Sequence, residues 1–99
     1  MGQNVYADLG FEDAEEMRVK AALVSSIGQI VEERGLTQEQ AATLMGLDQP
    51  KVSALLRGRF QGFSMDRIFR LLVALDNDVS IVIRPKSEDR GRVSVVARS

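Results

Sequence analysis

Gln49, Lys51, Ser53 and Arg57 are the side chains of this sequence best suited to act on another molecule, and what they offer is hydrogen bonding and charge. They lie in one short segment, Asp48 to Gly58, whose apolar residues Val52 and Leu55 fall at helical spacing. A helix there turns Val52 and Leu55 inward and leaves the polar groups outside. A glutamine amide both donates and accepts, so Gln49 can pair with an adenine edge in the major groove of DNA. Ser53 can meet a base edge as well, and Lys51 can reach a base or a phosphate. Arg57, at the far end of the helix, and Arg59, in the loop beyond it, suit phosphate. Pro50 shares the exposed first turn with Gln49. Gln38, at the first turn of a preceding helix, is a further candidate for backbone contact.

The residues between Gln38 and Gln49 supply the means of positioning that helix. Thr37 can cap the earlier helix, and Gln40 completes a capping box with it. Ala41 and Ala42 are small, so two helix axes can cross closely. Gly46 falls where the turn needs a positive φ, which costs little without a Cβ. Leu44, Leu47, Val52 and Leu55 are expected to fix the angle between the helices. Asp48 caps the second helix, and Pro50 lies in its first turn, where a missing N–H is harmless. The pattern predicts a helix-turn-helix with DNA as its ligand.

The run Thr-Gln…Ala-Ala…Gly-Leu…Val-Ser…Leu…Gly within Thr37–Gly58 resembles the XRE (Cro-like phage repressor) helix-turn-helix family. Three flanking blocks resemble the HigA-type antitoxins of bacterial toxin–antitoxin modules. They are Asn4-Val5-Tyr6-Ala7-Asp8-Leu9-Gly10, Ala14-Glu15-Glu16 and Phe63-Ser64-Met65-Asp66-Arg67. The resemblance covers roughly residues 4–85. It implies a homodimeric repressor on an inverted-repeat operator and, as a partner, an mRNA-cleaving toxin of the HigB/RelE-like class. A stand-alone repressor without a toxin is the alternative within the family. A protein-interaction module that no longer binds DNA is the alternative outside it.

Composition bounds these readings. With 99 residues the chain is one domain, and 44% hydrophobic residues allow a core. There is neither cysteine nor histidine, which removes disulfides, thiolate metal sites and the commonest general base. No cofactor and no catalysis are expected, since the acids near Asp13 are explained by the helix dipole. No apolar run approaches the roughly 20 residues of a membrane span, and no signal peptide is visible, so a cytoplasmic location is expected. The net charge of −1 argues against nucleic acid, but its distribution does not. Asp8 to Glu33 holds seven acids and two bases, whereas Asp48 to Arg70 holds five bases and two acids. Phosphate responds to the local patch rather than the total.

The remaining segments frame the motif. Residues 1–12 are read as an N-terminal arm in which Tyr6, Leu9 and Phe11 could dock on a partner. Residues 13–85 form the DNA-binding domain, and 86–99 a charged loop with a weak second strand or tail. From Asp13, a long helix carries Met17, Ala21, Val24, Ile27 and Val31 on its apolar stripe, widened by Leu23 and Ile30, and ends at Gly35. Gly28 inside it points to close packing against another helix. Ser64 caps a last helix whose core face is Ile68, Leu71, Leu72 and Leu75. Arg67 and Arg70 are read as part of its solvated face. Val79 to Ile83 is β-branched and strand-like, and Val93 to Ala97 more weakly so. The expected fold is mainly α, a compact helical domain with a C-terminal β-strand or short hairpin. Val79, Ile81 and Ile83 are the expected dimerisation residues, by pairing with the same strand of a second subunit.

Overall fold

The apolar stripe of the long first helix organises the packing. In the computed structural model, which describes residues 11–86 and 91–97, this helix (α1) runs Phe11–Glu33. It buries Val19, Leu23, Val24, Ile27 and Val31. Met17 and Ala21, expected in the stripe, are exposed. A repeat of 3.6 residues admits both registers. The observed one buries two branched side chains, Val19 and Leu23, where the other offers Met17 and an alanine with little hydrocarbon to bury. The helix starts two residues before Asp13, so Phe11 belongs to it by its backbone. Of the expected arm, residues 1–12, Tyr6, Leu9 and the other residues up to 10 lie outside the described residues.

Three shorter helices follow: α2 (Gln38–Met45), α3 (Gln49–Leu56) and α4 (Met65–Ala74). Helix α1 packs against α3 and α4, and α2 packs against the same two. Ile27, Val52, Leu55, Ile68 and Leu75 are fully buried within a single apolar cluster. The expected inner face of α4 is therefore the observed one. A Cβ on Gly28 would lie 3.9 Å from Leu56 Cδ2, an ordinary contact. The close approach expected at Gly28 is not met.

All four helices close with the same wrapped turn. At the end of α1, the Leu36 N–H donates to the Val31 carbonyl and the Gly35 N–H to Glu32. Equivalent pairs close α2 at Gly46, α3 at Gly58 and α4 at Asp76. The turn needs a left-handed residue, and α4 supplies an aspartate (φ 67°) where the others use glycine. Aspartate is among the few residues that visit this region. Its neighbours hold it there. The Arg34 guanidinium donates to the Leu75 carbonyl at 2.8 Å and pairs with the Asp76 carboxylate at 3.5 Å. The Asn77 amide donates to the carbonyls of Leu75 (2.9 Å) and Leu72 (3.3 Å).

The expected C-terminal strand and hairpin are not formed: among the described residues there is no strand. Ile81, Val82 and Ile83 are 72%, 75% and 91% exposed, and no backbone hydrogen bond joins them to Val93–Ala97. β-branching favours extended backbone, but a ladder requires a second strand to supply matching donors and acceptors. Val93–Ala97, which could have supplied them, goes elsewhere. The Val93 N–H donates to the Glu15 carboxylate at 3.1 Å, its carbonyl accepts from Arg18, and Val95 packs on the edge of the core.

Candidate nucleic-acid interface

The motif read from the sequence is built mainly from local bonds. The Thr37 hydroxyl accepts from the Gln40 N–H at 3.0 Å, and the Gln40 side chain accepts from the Thr37 N–H at 2.9 Å. This reciprocal pair satisfies two backbone donors at the start of α2. Ala41 and Ala42 are buried, so this stretch of α2 presents little side-chain bulk where it meets the core. Gly46 adopts φ 67° and ψ 34°, and the chain reverses into α3 through Leu47. One expected contact is corrected. Leu44 is 40% exposed, and its neighbour Met45 is the buried residue. Adjacent helical residues point about 100° apart, so the crossing angle decides which one enters, and a flexible thioether fills an irregular gap easily.

Helix α3 begins with the Asp48 carboxylate accepting from the Lys51 N–H at 3.0 Å. Pro50 lies in the first turn, where no intrahelical donor is required. Val52 and Leu55 are buried, which fixes the rotation of the helix about its own axis. That rotation leaves Gln49, Pro50, Lys51 and Arg57 exposed and Ser53 half-buried. The closing turn at Gly58, in which the Arg59 N–H donates to the Ala54 carbonyl at 2.9 Å, sets Arg59 in solvent just past the helix. Phe60 then packs against the core and anchors the loop. Gln38 is exposed at the first position of α2. The base-directed candidates thus share one helix, with the phosphate-directed arginines at its end.

Several cations away from this surface are engaged locally, while Arg84, also exposed, forms no ion pair with any described residue. Arg18 pairs with Glu15, Lys20 with Glu16 at 3.0 Å, Arg34 with Asp76, and Arg70 with Asp66 at 2.7 Å. Arg67 stacks over the Phe63 ring with its guanidinium 4.5 Å from the centroid. Arg67 and Arg70 are therefore engaged locally rather than simply solvated. Lys51, Arg57 and Arg59 form no ion pair with any described residue. Three exposed cations without carboxylate partners among the described residues, one in the first turn of a capped helix and two at its far end, are what a phosphate backbone neutralises on binding. Sequence reasoning did not anticipate the Arg67–Phe63 stack. Its only signal is the i,i+4 spacing of an arginine and an aromatic across a helix start.

Residues 5–84 match the model of a helix-turn-helix domain family. A solved structure described as an XRE family transcriptional regulator is 45% identical, with a TM-score of 0.81. The similarity covers 87% of this chain and 99% of that one. No curated protein matches the chain. Among the described residues, no helix is long and apolar enough to cross a membrane.

Proposed function

We propose that this chain, which belongs to the XRE family of helix-turn-helix transcriptional regulators, is a dimeric repressor that also neutralises a HigB/RelE-like toxin. DNA binding and transcriptional regulation come with the family. Repression, the dimer and the toxin are the steps beyond it. The observation that carries the DNA reading is the set Lys51, Arg57 and Arg59, without ion-pair partners among the described residues, around a helix that exposes Gln49. In the dimer, each subunit sets α3 in the major groove of one half-site of an inverted repeat, with half-sites about 34–36 Å apart or at multiples of that spacing.

The support for a dimer is the exposed, unladdered segment carrying Val79, Ile81 and Ile83. Two copies related by a two-fold axis give each other the backbone partners that one copy lacks. The support for a toxin is the likeness of the flanking blocks to HigA-type antitoxins, together with the acidic start of α1. A basic nuclease meets a complementary field there. Tyr6, Leu9 and Phe11 adjoin that acidic start in sequence and are assigned to the same contact.

Base reading is tested by comparing operator and random DNA at several salt concentrations. Gln49→Ala should cost about 1–3 kcal/mol on the operator and almost nothing on random DNA. Arg57→Ala should weaken both and make the salt slope shallower by about one unit. Equal losses from Gln49→Ala on the two DNAs would reduce α3 to a backbone clamp.

A further inference from the structure

We infer that the face of α1 around Glu15 and Arg18 is a docking site for basic, β-branched, extended peptide, and that the chain's own tail is its resident occupant. Val93 is read by its backbone. Its N–H donates to Glu15 at 3.1 Å, its carbonyl accepts from Arg18, and those two side chains also bond each other. Two side chains one helical turn apart thus present an acceptor and a donor to a single residue, as the edge of a sheet would. This recognition depends on an extended backbone more than on residue identity. Val95, two residues on and so on the same side of an extended chain, adds an apolar anchor against the core.

Charge narrows the class of ligand. From Arg90 to Ser99 the sequence holds three arginines and no acid, while Glu12, Asp13, Glu15 and Glu16 crowd the start of α1. The tail is therefore a sample of what the face accepts: a segment with β-branched Val93, Val95 and Val96 and basic flanks. It is also weakly held. Val93 and Val96 remain more than half exposed and Ser94 is exposed, so few apolar contacts oppose its release. Its hold comes from tethering, which gives a linked segment an effective concentration of about millimolar. A basic protein presenting an edge strand of this chemistry competes with the tail for the same groups. Identifying that protein with the toxin rests on the antitoxin reading above. The docking site does not.

The test uses the full-length chain and, as probe, a labelled synthetic peptide with the sequence of Arg90–Ser99. Val95→Lys removes the apolar anchor without altering α1, and should raise peptide affinity about tenfold over the unaltered chain by freeing the face. Val93→Pro, which deletes the N–H donor, should give the same gain independently. Arg18→Ala added to either variant should abolish it. Unchanged operator binding by the tail variants shows that the helical domain is intact. With operator binding intact, equal peptide affinity in all forms, or no binding by any, overturns the inference and leaves the antitoxin reading standing. A basic, HigB/RelE-like protein encoded by the adjacent gene that fails to bind any form removes the antitoxin reading and leaves the peptide result in place.

Discussion

Residues 37–58 and residues 77–97 are similar in length and both mix apolar with charged residues, yet their described parts satisfy their backbones in opposite ways. In the first, caps at Thr37 and Asp48 and wrapped turns at Gly46 and Gly58 serve the helix ends, and apolar residues lie against the core. In the second, Val79–Ile83 has no ladder, its apolar side chains face solvent, and Val93–Ala97 borrows hydrogen bonds from α1 side chains. A segment whose needs are met locally can present side chains rigidly, which suits reading a sequence. One whose needs are unmet keeps its bonding capacity for other chains, which suits assembly. The division follows from where the partners of each backbone group lie.

Substitutions can break this contrast, and the largest effect belongs to the closed region. Leu55→Ala opens a cavity at a fully buried position and should cost about 2–5 kcal/mol, read from urea unfolding. A loss below about 1 kcal/mol would mean that α3 is held by its caps rather than by its burial. Ile81→Pro comes next. At low protein concentration, where the monomer dominates, it should leave thermal unfolding unchanged, because the segment makes no ladder within the chain. At micromolar concentration sedimentation should shift toward monomer, and operator binding should fall on the order of 10²-fold as the avidity of two linked subunits is lost. A variant that remains dimeric would move the interface to the helices. The smallest effect is that of Asp48→Ala, about 1 kcal/mol of stability through loss of the cap on α3. Restoration by Asp48→Ser, but not by Asp48→Leu, would separate capping from simple charge.

The sequence made the helix-turn-helix legible because its determinants lie within a few residues of one another. Thr37 with Gln40, Asp48 with Lys51, and Ser64 with Arg67 are caps, each spanning three residues. Periodicity was less decisive where two registers compete. Met17 and Leu44 were expected inside and Val19 and Met45 occupy those places, because helix rotation is fixed only when a neighbour packs against it. Long-range polar contacts left no trace. Nothing near Arg34 announces Asp76, and nothing near Glu15 announces Val93, since each pair meets only after the intervening helices have folded. The expected strand failed for a related reason: β-propensity describes a residue's fit to a pleated surface, and the chain provides no such surface beside Val79–Ile83.

The tie between Arg34 and Asp76 has a consequence for geometry on DNA. In the proposed dimer, the segment that joins the two copies leaves each helical domain through this joint. The direction in which it leaves therefore sets the separation of the two α3 helices. Three of the four helix ends use glycine, and the end at this joint uses an aspartate braced by Arg34, just past the end of α1, and by the amide of Asn77. In that dimer a stiff joint would admit one half-site spacing, whereas a loose one would accept several. In that dimer, tolerance to inserted base pairs, more than affinity for any one operator, is the quantity that a substitution of Asp76 should change.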